Sequence, residues 1–483
     1  MPSKVETLIR KAVTKGVTKV AEHNAARLKS DEQNPYLHGI HAPVNKELTL
    51  TDLSVTGSIP AELDGRYLRI GPNPIVPPVE AAYHWFIGDG MVHGVRLKDG
   101  KALWYRNRWI RSTPVTRAMG IDAAPGPRNG DSDTVNTSIL GFAGATWAIV
   151  EAGGYPVRID EELNTIAHDP FGGTLKQSFS AHPHLDTDTG EMHAICYEAT
   201  DANTIRHVVL GTDGKVRREE AIAVQDGPSI HDCMITKNYV IILDLPVTFS
   251  MKTLLAGHKF PYRWNADHKA RVGLLPKEGT QEDIVWCDIE PCYVFHPCNA
   301  YENADGTITF DACVHNNMFE TSLQGPESTS VPFERWTIDP AQRKVARKVI
   351  DSDSQEFPRP NEAYTGKPYR YAYTIALRDG FEASPRQTRL FKHDLETGKK
   401  QVHDFGEGRI PGEFVFVPKA GAEAEGANED SGWMMGLVIN SNNDTTDLVI
   451  LDAQDFEGTP QAIITLPHRV PTGFHGNWVA TAS

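Results

Sequence analysis

The chain has 483 residues and a net charge of −15. That acidic balance argues against nucleic acid as a partner for the body of the protein. No apolar run approaches the roughly 20 residues of a membrane span, and no short N-terminal apolar stretch reads as a secretory signal. The length permits a large core with a buried cavity, and closed β folds of this size run as one domain.

Residues 1–30 differ in character from the remainder of the chain. Lys4, Arg10, Lys11, Lys15, Lys19, Arg27 and Lys29 oppose only Glu6 and Glu22, a net +5 on the segment. Leu8, Ile9, Ala12, Val13, Val17, Val20 and Ala21 recur at helical spacing. The pattern predicts a basic amphipathic helix or tail over 1–32, ahead of a single domain over 33–483. Such a helix either packs on the body or lies on a membrane surface.

After residue 45 the chain is β-rich. The predicted strands are Ala145–Glu151, Tyr239–Leu245, Thr307–Val314, Tyr369–Leu377, Glu413–Val417, Trp433–Asn440, Asp447–Asp452 and Ala462–Leu466. Asp99-Gly100, Asp213-Gly214 and Asp305-Gly306 sit between strand-like runs as hairpin turns, and Thr189-Gly190 and Thr397-Gly398 look similar. Ala123–Asp133 and Pro418–Gly432 read as long loops. Pro246–Trp264 interrupts the strand pattern with Leu254, Leu255, Phe260 and Trp264 among basic residues, an insertion suited to a pocket mouth, a lipid contact or a covering helix. Many short strands without a sequence repeat point to an all-β sandwich, barrel or propeller, and a propeller handles the length best. The six cysteines form no Cys-x-x-Cys pair and read as free thiols of a reducing cytoplasm; Cys298, two residues after His296, reads as a buried structural thiol, with a sulfur ligand as the alternative.

Four histidines stand in separate motifs: His182 in Ala-His-Pro-His-Leu-Asp, His231 in Ser-Ile-His-Asp, His296 in Tyr-Val-Phe-His-Pro and His475 in Gly-Phe-His-Gly-Asn-Trp. Spacings of 49, 65 and 179 residues exclude a helical two-histidine site or a zinc finger, so only the whole fold can unite them. Among 19 histidines, four at strand-like positions can also be ordinary. United, four neutral imidazoles leave a divalent metal its full charge and suit iron, copper, nickel or zinc.

Together with Leu63–Pro74 (Leu-Asp-Gly-Arg-Tyr-Leu-Arg-Ile-Gly-Pro-Asn-Pro), His84–Gly94 (His-Trp-Phe-Ile-Gly-Asp-Gly-Met-Val-His-Gly) and Glu356-Phe-Pro-Arg359, these motifs resemble the carotenoid cleavage oxygenases, a family that includes apocarotenoid oxygenases and lignostilbene dioxygenases. The likeness covers nearly everything after residue 33. It implies a seven-bladed β-propeller with a helical and loop dome over an axial Fe(2+). His182, His231, His296 and His475 match the family's iron ligands. His84, His93 and His184 fall in matching motifs without being ligands. Glu151, Glu356 and Glu413 match the glutamates that orient His231, His296 and His475, and Thr137 matches a threonine whose methyl shields an open coordination position. The implied activity is a dioxygenase reaction in which O2 cleaves a conjugated C=C bond to two carbonyl products.

Lignostilbene-type relatives carry a lysine before the first of those glutamates and a tyrosine about twenty residues before the threonine. Here the first is Val150; no tyrosine lies in Arg111–Asn136, and the nearest, Tyr105, belongs to a strand-like run. An apolar polyene, a carotenoid or apocarotenoid, is therefore expected over a phenolic stilbene. The expected setting is cytoplasmic, with peripheral membrane contact through 1–30 and 246–264. A stilbene dioxygenase and a non-catalytic polyene-binding propeller are the alternatives. A zinc hydrolase fits less well, since four histidines would leave tetrahedral zinc no open position.

Overall fold

The computed structural model describes residues 16–29, 33–130, 133–377, 387–422 and 427–481. Seven antiparallel sheets of four or five strands form a seven-bladed propeller. The first blade runs Gly476–Ala480, Gly65–Pro72, Gly90–Lys98, Lys101–Trp109 and Thr49–Leu50. Blades two to six take their strands in order from Ser138–Phe142 through Lys399–Asp404. The seventh adds Ser54–Gly57 to the edge of Ala462–Leu466. The ring is thus closed twice, by a C-terminal strand in the first blade and an N-terminal strand in the seventh, which leaves no open sheet at the junction.

The strands follow the sequence cues closely. Asp99 and Gly100 both have positive φ (49° and 71°), as a two-residue turn between Gly90–Lys98 and Lys101–Trp109 requires. Two predicted strands differ in ways that matter for the site. Strand Ala145–Ile149 ends before Glu151, which lies on the bend beyond it. The strand carrying Glu413 begins earlier than predicted, at Arg409, and its register slips between Pro411 and Phe414. A second slip falls between Glu356 and Arg359 in Gln355–Arg359, where Phe357 sits at φ 52°. Such bulges re-aim a side chain out of the strand's alternation. The first strands of the blades touch in succession around the axis, from His184–Leu185 through Cys233–Ile235, Pro297–Glu302, Gln355–Arg359, Arg409–Pro418 and Gly476–Ala480 to Ser138–Phe142.

One face carries a dome of loops and short helices. Pro246–Trp264 contains a hairpin, Val247–Phe249 with Tyr262–Trp264, around the helix Met251–Leu255. The N-terminal segment is helical over 16–25 and packs there. Ala21 and Ala25 are buried, the Asn24 side chain donates to the Leu255 carbonyl (2.7 Å), and a Cβ on Gly257 would stand 2.5 Å from the Ala25 nitrogen. Residues 1–15 and 30–32 of that segment lie outside the described residues. No described helix is long and apolar enough to cross a membrane.

Blade four is pinned to the loop before it by His268, whose ring bonds Asp244 (2.9 Å) and Asp226 (3.0 Å). Burial alone would lower its pKa, but the two carboxylates outweigh burial and raise it. A raised folded-state pKa gives stability that is complete below the unfolded value of about 6.5 and is lost as pH rises through the folded value. Urea unfolding is expected to show the wild type losing its advantage over His268→Gln as pH climbs above about 6.5. An advantage independent of pH would contradict this assignment.

Candidate metal centre

Each of the four histidines sits just before the axial strand of a different blade: His182 before His184–Leu185, His231 before Cys233–Ile235, His296 before Pro297–Glu302, and His475 before Gly476–Ala480. Because those strand ends converge on the axis, the rings converge with them. One ligand nitrogen from each of the four lies within 4.8 Å of the others. Ring centroids are 4.5 Å apart for His182 and His231, 4.7 Å for His296 and His475, and 5.1 Å for His231 and His296.

Three rings are held from behind. His231 Nδ1 meets Glu151 Oε1 at 3.0 Å, His296 Nδ1 meets Glu356 Oε2 at 2.7 Å, and His475 Nδ1 meets Glu413 Oε1 at 3.0 Å. Burial would raise the Glu356 pKa, but His296 and His315 hold it well below the carboxylate range. Burial opposes the same change at Glu413, which His475 and Arg359 nevertheless push down to about 2. Ionised, Glu356 and Glu413 only accept, so Nδ1 of His296 and of His475 donates and Nε2 is turned to the axis. The His231 and His296 Nε2 atoms face one another at 3.2 Å, and His182 Nε2 is buried with no hydrogen-bond partner. Lone pairs gathered at such distances call for a cation. Burial lowers the His296 pKa, yet Glu356 more than compensates and raises it. Burial keeps His182 well below its ordinary value, with the other three rings adding to the effect. The donor set fits a divalent transition metal.

His182 has no glutamate. Its Nδ1 faces Asp232 Oδ2 at 3.6 Å, while Asp232 Oδ1 bonds His184 Nε2 at 2.8 Å. His184, Asp232 and Cys233 form a second, smaller group of potential ligands beside the first. His84 instead accepts from the Phe86 N–H and stacks on Phe260, and His93 bonds Tyr105, which also bonds His468. Tyr105 is fully buried there and is not among the residues lining the cavity. Thr137 gives its hydroxyl to Asn136 (2.8 Å), leaving its methyl without a polar demand, and its carbonyl accepts from the His475 N–H (3.2 Å).

Above the four rings is a cavity of about 270 Å³ walled by Trp85, Phe86, Phe260, Phe295, Phe357 and Phe474, with Thr137 and Val150 in its lining. It adjoins an outer cavity of about 620 Å³ through Ile87, Thr134 and Lys259, which line both. Phe260, Pro261 and Tyr262 come from the 246–264 insertion, so the predicted pocket-mouth segment does line the cavity. Below the rings is a polar cavity of about 210 Å³ containing Asp232, Arg359 and Glu413.

Sequence reasoning assigned no part to several residues of the site. His315 shares Glu356 with His296 (2.9 Å to Oε1), and Arg359 braces Glu413 (3.3 Å). Phe357 stacks on the His296 ring with centroids 5.0 Å apart. The run Glu-Phe-Pro-Arg carried a signal for two of them, whereas nothing around His315 distinguishes it from the other histidines.

Residues 41–480 match the family model described as retinal pigment epithelial membrane protein. The chain is 42% identical to a carotenoid cleavage oxygenase of Mycobacterium tuberculosis over 94% of this chain and 99% of that one. It is 32% identical to carotenoid 9,10(9',10')-cleavage dioxygenase 1 of Arabidopsis thaliana over 95% of this chain and 92% of the relative. The cobalt-substituted apocarotenoid oxygenase of Synechocystis superposes with a TM-score of 0.81 at 26% identity, covering 93% of this chain and all of that one.

Glu356→Gln keeps the volume and loses the charge that fixes the His296 tautomer. Metal titration against a competing chelator is expected to give an affinity weaker by about 10–100-fold. An unchanged affinity would remove Glu356 from any part in holding the metal.

Proposed function

The chain belongs to the carotenoid cleavage oxygenase family, and from that membership we propose that it is an Fe(2+)-dependent dioxygenase that splits one conjugated C=C bond of a carotenoid or apocarotenoid. The two carbons of that bond would each take one atom of O2, giving two carbonyl products with no other oxidant or reductant. The observation that carries this reading is a set of four imidazoles from four blades opening onto an aromatic cavity. Bound there, ferrous iron would supply the open positions and the electrons that activate dioxygen.

The chain's own residues bind, orient and exclude water. His182, His231, His296 and His475 would hold the metal, with Glu151, Glu356 and Glu413 fixing three tautomers and ring planes. The aromatic wall favours a flat, apolar chain and sets which bond lies over the rings. The Thr137 methyl, free of polar demand, would crowd one approach to the metal. Val150 stands in the lining at the position where lignostilbene-type relatives carry a lysine, and Tyr105 is held by His93 and His468, which favours a polyene over a stilbene.

The mouth bears on how a polyene arrives. Val76 (59% exposed) and Val79 line the outer cavity and are exposed, as are Val20 on the N-terminal helix and Met251 and Leu255 on the insertion packed against it. These apolar side chains with Lys19, Lys252 and Lys259 suit contact with an anionic lipid surface, from which an otherwise cytoplasmic enzyme would draw its substrate.

Iron-loaded protein with a carotenoid or an apocarotenal is expected to consume O2 and polyene one to one and to yield two carbonyl products by mass spectrometry. His296→Ala should lose both iron and turnover. Polyene binding without oxygen uptake would instead make the protein a carrier. The full chain should float with phosphatidylserine-containing vesicles and not after Met251→Asp together with Leu255→Asp; flotation unaffected by that pair would exclude this surface.

A further inference from the structure

Beyond the four rings lies a fourth, small cavity of about 50 Å³. Trp85 and Phe357 line both it and the central cavity, so the two adjoin. The walls are mostly apolar, with Ile375 and Leu437 among them, yet Arg69 and Gln387 also line it. Arg69 is only 4% exposed and makes no ion pair among the described residues. One Nη donates to the Pro471 carbonyl, while Nε is buried without a partner. Gln387 is 7% exposed, and among the described residues its Oε1 likewise has no partner.

The backbone makes room for this charge. An ideal Cβ on Gly473 would stand 3.0 Å from the Arg69 guanidinium carbon, and one on Gly412 would stand 3.8 Å from its Nη1. Glu413 lines the same cavity, but its oxygens already accept from His475, Arg359 and the Gly476 N–H. A buried guanidinium with a spare N–H and no carboxylate of its own is costly unless something else completes it. Water-sized guests need about 10–15 Å³ each, so the space admits a few heavy atoms and not a ring.

We infer that this cavity receives the oxygenated end of a linear polyene, a carboxylate or an aldehyde, with Arg69 and Gln387 as its anchors. The inference rests on the proposed seating of a polyene in the central cavity and narrows the substrate class. The preferred substrate is an apocarotenoid already shortened at one end, so a prior oxidative cleavage of a longer carotenoid must supply it. An anchored end also fixes how far the chain advances over the rings, hence which double bond is cut.

The test uses the full chain without metal, so that binding is read without turnover. Three polyenes of equal length, ended by a carboxylate, an aldehyde or a methyl group, are titrated by quenching of tryptophan fluorescence; Trp85 stands in the wall shared by both cavities. The carboxylate and aldehyde are expected to bind at least about tenfold tighter than the methyl-ended chain. Gln387→Leu should cut that preference to about threefold or less, and Arg69→Met should erase it, with circular dichroism reporting that each variant is folded. Gln387→Leu carries the test by itself should Arg69→Met not fold. Equal binding of all three polyenes, or a preference that survives in the folded variants, would overturn the inference while leaving the proposed function standing. Binding of none would overturn both.

Discussion

Closure of the ring is the constraint on which the site depends. Gly476–Ala480 pairs with Gly65–Pro72 across nearly the whole length of the chain, and His475 stands immediately before it. The contact that seals the propeller is therefore also the contact that delivers the fourth imidazole. The other three histidines precede axial strands in the same way, so no loop has to reach the cluster independently. Their positions are set by sheet geometry and by strands that touch around the axis. That suits a centre whose ligands must be held to fractions of an ångström.

The second constraint is electrostatic. Burying Glu356 and Glu413 would cost several kcal/mol each without partners. That cost is offset by hydrogen bonds from His296, His315, His475, Arg359 and the backbone. The carboxylates in turn dictate which nitrogen of each imidazole stays bare. Asp232 does something looser for His182, standing farther away and shared with His184. Three rings meet a glutamate at 2.7–3.0 Å, whereas the carboxylate behind His182 stands at 3.6 Å. On the side of His296 and His475, Phe357 also packs against both rings.

Much of this was legible in the sequence, for identifiable reasons. Alternating apolar runs with Asp-Gly turns marked the strands, because strand period and turn conformation are local properties. The histidine motifs were visible, but their convergence was not. Residues 49 to 179 positions apart meet only through blade order, and the family likeness supplied that. Glu356 and Glu413 stood out through their motifs, whereas the bulges that aim them depend on register with neighbouring strands. His315 and Gln387 gave no signal, since a lone histidine or glutamine looks like an ordinary surface residue until its burial is known, and Arg69, though inside the Leu63–Pro74 motif, carried nothing that marked it as an anchor. The basic N-terminal segment was readable as a helix; its docking on the 246–264 insertion was not.

Phe357 stands at the meeting point of three compartments: its ring borders the central, polar and inner cavities and lies flat on His296. It is held there by a left-handed backbone that a β-branched residue would resist. The same aromatic plane thus limits the tilt of an imidazole and the clearance between compartments. Trimming it to enlarge the cavities would slacken the imidazole beside it. Evolution toward longer or bulkier guests would meet less resistance along the outer walls than at this one shared partition.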